Sequence, residues 1–437
     1  MSDTKKVTLP ILAWYGDTEL ELDFPASWDV NVLKHKGDGT PALNDAGFRK
    51  ALANPIGTRP IREGAKGKKE ICILFDDMSR ATPTAEIVPY VLEELAAAGI
   101  KDDQIRFIAA IGAHGSMNGI DFTKKLGKDV MGRFRVYNHN PYENCTSVGP
   151  SPAGIPMQFN AEFMRCDYKI GIGSIVPHPM AGFGGGSKII LPGVASITTI
   201  DLNHTRLCPN ETTGIGKYEG NTLKIDMNDA ARMAGLDVKV DCIYNLNRQV
   251  THLFVGDVVD EHVAGVKVAR EYWATDAVDD CDVVVANSFS KADEMLLAIP
   301  TADPLLKSSG GDMVLLTITP EGQINHYWSR SFGKNLGGRS FRPKTELPPN
   351  TKKLTIMQPY PDFVGADWIA PYEMITFTRD WPATIAQLKA AYGAKAKVAV
   401  IPDASVQYFP SHALGTEVEP RKNFIQDHAD AVENLDI

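Results

Sequence analysis

The chain has 437 residues, too many for one typical domain core, so two or three domains are expected. Its 43% hydrophobic and 23% charged residues are those of an ordinary globular protein with ample core material. A net charge of −9 argues against nucleic-acid and anionic-membrane partners, while leaving room for a locally basic site that takes a small anion.

The N-terminus "MSDTKKVTLPILAWYGD" lacks the apolar run of a signal peptide. No stretch approaches the ~20 apolar residues that span a bilayer. The cysteines, Cys72, Cys145, Cys166, Cys208, Cys242 and Cys281, are scattered without a CxxC pair, as in a reducing compartment. A cytoplasmic protein is expected.

"EICILFDD" (Glu70–Asp77) reads as a buried strand ending on carboxylates. "TPTAEIVPYVLEELAAAGI" reads as a helix opened by Pro83 and closed by Gly99, with Pro89 marking a kink or a later true start. "QIRFIAAIG" follows as a second strand, and strand–helix–strand in that order argues for a parallel α/β unit.

The intervening turn, "FDDMSRATPT", places Asp76, Asp77 and Arg80 beyond a strand's carboxyl end, where open α/β sheets bind ligands. Ser79, Thr82 and Thr84 at the helix start offer a phosphate seat. A capping turn with a local Asp–Arg pair explains the same residues equally well. His114, in "AAIGAHGSMNG", follows the second strand and reads either as a structural histidine or as a ligand-side one.

"YKIGIGSIVPHPMAGFGGGSK" is a strand, a turn carrying His178, and a glycine-rich loop through Gly184, Gly185, Gly186 and Ser187 to Lys188. Glycines let backbone approach a ligand, and a lysine there holds a phosphate or reacts as an amine if desolvated. The loop fails the Walker pattern: Gly182 to Gly186 is one residue short, Ser187 precedes the lysine, and Ile189 follows it. A flexible turn with a solvated lysine is the plainer reading. If "SITTIDLNH" is helical, His204 lies one turn after Ile200 and can face the loop.

Further strands are expected in "VKVDCIYNL", "DVVVANSF", "MVLLTITP", "KLTIMQPY" and "AKVAVIPD". Helices are expected in "DEHVAGVKVAREYWATDAV" and "WPATIAQLKAAYGAK". The acidic step "DAVDDCD" separates two α/β blocks, 1–275 and 276–437. "HYWSRSFGKNLGGRSFR" (His326–Arg342) concentrates Arg330, Lys334, Arg339 and Arg342, as a solvated basic loop or an anion-recognising one. The polar tail "EPRKNFIQDHADAVENLDI" reads as a terminal helix or an unstructured end.

The motifs "DDMSRATPT", "GAHG", "PHPMAGFGGGSKIILPG" and "DLNH", in this order, resemble those of the nickel-dependent lactate racemase family, strongly over the first half of the chain and weakly over the second. The resemblance implies two α/β domains with mainly parallel sheets and an active site in the cleft between them. Residues 1–275 would bind cofactor and carry catalysis, and 276–437 would add substrate contacts. It implies a nickel pincer nucleotide, a pyridinium ring with two sulfur-bearing arms and a ribose phosphate, supplied by cofactor-making enzymes.

Carried over residue by residue, Lys188 would be the covalent tether and His204 the nickel ligand. His114 and His178 would be the acid/base pair. Asp77 and Arg80 would lie at the substrate. Thr82, Thr84, Gly184, Gly185, Gly186 and Ser187 would hold the cofactor phosphate. The chemistry would be racemisation or 2-epimerisation of a 2-hydroxy acid through reversible hydride transfer.

The sequence departs from the lactate enzymes in "NSFSKADEMLLAIPTADP". No glutamine or lysine stands at the family's second-domain positions, Asp293 alone matches, and Lys291 and Lys307 are out of register. A larger or more polar substrate, a dicarboxylate or an aldonate, is expected. The competing readings are a nickel-independent phosphate- or nucleotide-binding enzyme using the glycine loop as an anion site, and a non-catalytic binding relative.

Overall fold

The run Ile71–Phe75 has all five residues buried, the signature of a parallel strand covered on both faces. In the computed structural model, which describes residues 4–327, 346–366 and 369–413, it is a central strand of a six-stranded sheet. The strand order across that sheet is Val250–Gly256, Val238–Tyr244, Tyr168–Ser174, Ile71–Phe75, Ile105–Ala109 and Arg135–Asn138. All neighbours are parallel except the first pair.

A second six-stranded sheet is parallel throughout, in the order Ile375–Thr378, Thr351–Met357, Gly311–Leu316, Val283–Asn287, Lys397–Ile401 and Asp29–Val32. The α/β class read from the sequence is therefore the class observed. Among the described residues no helix is long and apolar enough to cross a membrane.

The two sheets do not divide the chain at residue 275 alone. Asp29–Val32 pairs with Lys397–Ile401 at the edge of the second sheet. The preceding hairpin, Thr4–Ile11 with Thr18–Pro25, buries Val7, Leu9, Leu22 and Phe24 against Val283, Val285, Val314 and Trp381 of that same layer. Apolar alternation in the hairpin leaves one face to be covered, and the second sheet covers it. In return, Val406 and Tyr408 pack into the first domain's core.

Helix Thr84–Ala97 runs continuously through Pro89, whose ring removes the donor that the Ala85 carbonyl would otherwise take. "SITTIDLNH" is helical: Ser196 caps Ile197–Leu207 by accepting from the Thr199 amide. The helix expected in "DEHVAGVKVAREYWATDAV" ends at Tyr272. Asp380 caps the helix Trp381–Tyr392. Arg330, Lys334, Arg339, Arg342 and the tail 419–437 lie outside the described residues.

The topology positions the site. Tyr168–Ser174, Ile71–Phe75 and Ile105–Ala109 are adjacent and parallel, so their carboxyl ends open side by side. Asp76, Asp77 and Arg80 follow one, His114 follows the next, and His178 follows the third.

Candidate active site

The turn Asp76–Arg80 is pinned from beneath by Lys125, whose side chain is fully buried. Its ammonium meets Asp76 Oδ1 at 2.6 Å and donates to the carbonyls of Asp77 at 3.0 Å and Arg80 at 2.7 Å. The turn thus presents Asp77 and Arg80 to a cavity that is also lined by Gly112, His114, His178, Gly184, Gly185 and Lys188.

The two histidines on that cavity have opposite environments. His114 Nδ1 lies 2.7 Å from Asp77 Oδ2, and Ser79 donates its amide and hydroxyl to the other Asp77 oxygen at 2.9 and 2.5 Å. Burial opposes a charge on His114, but Asp77 and then Glu294 outweigh it and raise its pKa. Burial likewise disfavours the Asp77 carboxylate, and His114 and Arg80 overcome that and lower its pKa. With Nδ1–H directed at Asp77, Nε2 is the nitrogen that exchanges protons.

His178 Nδ1 accepts from the Met180 and Ala181 amides, both at 3.2 Å, so in the neutral ring Nε2 carries the proton. Burial, reinforced by Lys188, Lys291 and Arg80, holds His178 well below its ordinary pKa. One histidine is poised to charge and the other is held neutral.

Arg80 makes its hydrogen bonds among the described residues through Nη1, to the Ser79 carbonyl at 3.0 Å, the Ser79 hydroxyl at 2.8 Å and the Glu294 carboxylate. Nη2 remains for an anion.

Lys188 sits in the short helical turn Gly186–Ile189, and no described carboxylate or carbonyl accepts from its ammonium group. Burial, with Arg80, Lys224 and Lys291 adding repulsion, pushes its pKa well below that of an ordinary lysine, favouring the neutral, nucleophilic amine. His204 donates Nδ1–H to the Ile200 carbonyl at 3.0 Å, placing the lone pair on Nε2. Burial and then Lys188 push its pKa down to about 3. His204 does not line the cavity wall itself, but lies near enough to Lys188 to feel its charge.

The glycine loop is not the open anion cradle that its composition suggested. Gly184 N–H donates to the Val176 carbonyl at 2.7 Å and Gly186 N–H to Asp241 Oδ2 at 2.5 Å. Its carbonyls are also held, Gly184 by His262 Nε2 at 2.8 Å and Gly185 by Lys224 Nζ at 3.0 Å. Gly186 has φ +56°, and a Cβ there would sit 2.6 Å from His262 Cγ, so glycine is required.

Ser187 is buried and donates to Asn228 Oδ1 at 2.7 Å. Thr82 is buried against Asp76 and Ser174, and the Thr84 hydroxyl is directed at the Thr82 carbonyl. Thr82, Thr84, Gly186 and Ser187 therefore shape the site from behind, because their polar groups are already satisfied inside the protein.

The second sheet's segments contribute Glu294, which no sequence motif disclosed, together with Lys291 and His326. Segment Phe289–Ala298 brings Glu294 to Arg80, with its Oε1 3.8 Å from His114 Nε2. Arg80, then His114 and Lys291, overcome the burial of Glu294 and lower its pKa to about 2. Lys291 Nζ is buried without an acceptor among the described residues, and burial and Arg80 push its pKa down to about 7. His326 bridges His114 through backbone pairing, and the two rings meet edge to face at 4.9 Å. The helical and glycine signals of the first domain are local in sequence; these contacts span some 200 residues and carry no spacing rule.

Fold and cavity together define a class: an α/β protein of two mainly parallel sheets with a lysine- and histidine-lined cavity at the carboxyl ends of one of them. Residues 15–216 match the lactate racemase N-terminal domain model. Two curated proteins named lactate racemase are similar. One, from Thermoanaerobacterium thermosaccharolyticum, is 29% identical over 280 residues, 63% of this chain and 65% of the relative. The other, from Lactiplantibacillus plantarum, is 31% identical over 242 residues, 55% of this chain and 57% of the relative. Each alignment spans less than two thirds of the relative's length.

The lactate racemase apoprotein structure from T. thermosaccharolyticum superposes with a TM-score of 0.70 at 21% identity, covering 93% of this chain and all of that one. A Thermotoga maritima protein gives 0.63 at 18% identity, covering 85% of this chain and 99% of that one. These two likenesses establish the shared fold.

Proposed function

We propose that this protein is a racemase or 2-epimerase of a 2-hydroxy acid larger or more polar than lactate. The observation that carries the reading is the pair of oppositely tuned histidines on one cavity beside Lys188, a buried lysine whose pKa is pushed down. Environments that push two acid/base groups apart mark them for complementary roles.

A nickel pincer nucleotide fits the donor set in part. Lys188 offers a nucleophilic amine for attachment and His204 a neutral imidazole with its lone pair on Nε2. The Gly184 and Gly186 amides and the Thr82 and Thr84 hydroxyls, already bonded within the protein, offer little to a phosphate, which leaves the Gly185 amide on the cavity wall as the loop's contribution. Such a group would accept and return the α-hydrogen as hydride. Arg80 Nη2 binds the substrate carboxylate, with Lys291 in reserve for a second polar group.

His114 Nε2 takes the hydroxyl proton, and Asp77 steadies the imidazolium that forms. His178 Nε2–H hydrogen-bonds the substrate oxygen from the other wall, and to pass a proton to that oxygen the ring must first be protonated at Nδ1, because the neutral imidazole would otherwise be left as an imidazolate. To act as base for the opposite configuration it gives up its two long Nδ1 contacts.

A neighbouring cavity, which shares Asp77 with the first, is lined by Tyr15, Asp121, Asp293, Glu321 and Asn325. Carboxylates there accept hydroxyl groups and repel a second carboxylate, which favours an aldonate over a dicarboxylate. The phosphate- or nucleotide-binding alternative has little support, because Asp241 already occupies the Gly186 amide.

The test is intact-mass and nickel analysis of protein co-expressed with cofactor-making enzymes, followed by chiral analysis after incubation with single-configuration aldonates, malate and lactate. An adduct at Lys188, with configuration exchange lost in His114→Ala and His178→Ala, is expected. A loaded protein that exchanges none of these acids, or full activity in either variant, refutes the reading.

A further inference from the structure

His114, Glu294 and His326 form a second constellation with its own chemistry. Each offers one ligand atom, and the three atoms lie within 4.8 Å of one another. Among the described residues this is the one such group of histidine, cysteine or carboxylate side chains. It does not include His204, and it joins the two domains: His114 comes from the first, Glu294 and His326 from the second.

Two independent features make it more than a cluster. The first is rigidity of the frame. Gly115 N–H donates to the Asn325 carbonyl at 2.8 Å and Tyr327 N–H to the Ala113 carbonyl at 2.7 Å, so both histidines stand on one antiparallel bridge. The second is the partner behind His114. Its Nδ1 is taken by Asp77 at 2.7 Å, which aims Nε2 at Glu294. A carboxylate behind the far nitrogen is the usual outer support of a metal-bound imidazole, fixing its tautomer and raising its basicity.

We infer that His114 Nε2, Glu294 Oε1 and His326 form a binding site for a zinc-class divalent cation across the domain cleft. Two imidazoles and one carboxylate suit zinc and its neighbours rather than magnesium or calcium. Tetrahedral ligands at about 2.0–2.1 Å from the metal stand roughly 3.3 Å apart, so the observed spacing closes by small side-chain rotations. Glu294 keeps its other oxygen on Arg80, which supports the carboxylate but opposes the cation, so binding is moderate rather than structural. Three protein ligands leave a fourth position toward the cavity. The ion takes the lone pair that His114 needs as a base, so it competes with catalysis and clamps the cleft.

The experiment uses full-length apoprotein carrying His204→Ala, which removes the proposed nickel ligand, titrated with zinc against a chromogenic chelator. One ion per chain is expected, with affinity falling at least roughly tenfold in His326→Ala and in Glu294→Gln, and by about 10–100-fold in Asp77→Asn. Cobalt substitution gives a visible d–d spectrum in the His204→Ala protein that His326→Ala and Glu294→Gln each change. Circular dichroism confirms that each variant is folded. Absence of a bound ion, or affinity and spectrum indifferent to both His326→Ala and Glu294→Gln, overturns the site. Because binding is read on apoprotein, its failure leaves the racemase reading untouched, and failure of that reading leaves the metal site standing.

Discussion

Replacing Asp241 with asparagine tests what holds the lysine-bearing loop. Asp241 and Lys239 form an ion pair with both side chains fully buried, and Asp241 also takes the Gly186 amide. Removing one member of a buried pair leaves an unpaired charge and costs about 3–5 kcal/mol. Asparagine keeps an oxygen for Gly186 N–H, so the loss is mainly electrostatic. Asp241→Leu also orphans that amide and adds about 1–3 kcal/mol.

For a folding unit of this size each kcal/mol moves Tm by ~2–4 °C, so Asp241→Asn lowers the first transition by roughly 6–20 °C. Lys239→Met combined with Asp241→Asn removes both charges and recovers most of the loss. Thermal melts followed by circular dichroism measure all four proteins. A loss under about 1 kcal/mol in Asp241→Asn, or a double variant no better than the single, refutes the account of the loop.

Gly186→Ala meets a left-handed backbone, about 1–2 kcal/mol, plus the His262 ring, so it destabilises clearly in the same melts, whereas Gly132→Ala, in open space on helix Lys128–Arg133, stabilises by roughly 0.5–1 kcal/mol. Asp77→Asn leaves His114 without its anionic support; kcat on the active substrate falls about 10²–10⁴-fold with little change in KM, as initial rates show.

The stability contributed by the His114–Asp77 pair depends on pH. The folded pKa of His114 is raised, so its part is complete below the unfolded value of ~6.5 and fades as pH rises through the folded one. Asp77 is lowered, so its part is present above ~3.9 and fades as pH falls toward its folded value. Urea midpoints of the wild type and His114→Gln should therefore differ most between about pH 4 and 6.5; a gap that widens above pH 8 contradicts this.

Much of the architecture was legible because it is locally encoded. "ICILF" and "VVVAN" are apolar without alternation, as strands buried on both faces must be, and the parallel class follows. Ser196 before "ITTIDLNH" encodes a cap, and the helix places His204 one turn beyond Ile200. Asp77, Arg80, His114, His178 and Lys188, which line one cavity, stand out locally because each follows a strand's end or a glycine turn.

Tertiary structure alone decided the rest. Only the fold shows that the Gly184 and Gly186 amides are bonded internally, since Val176 and Asp241 approach them from outside the loop. Only strand pairing carries Asp29–Val32 to the far sheet, where its partner is some 370 residues away. The charge states of the two histidines depend on Asp77, on Lys188, and on Lys291 and Glu294, drawn from three segments. A residue's composition and spacing set what it can do; burial and the charges that folding gathers around it set which of those things it does.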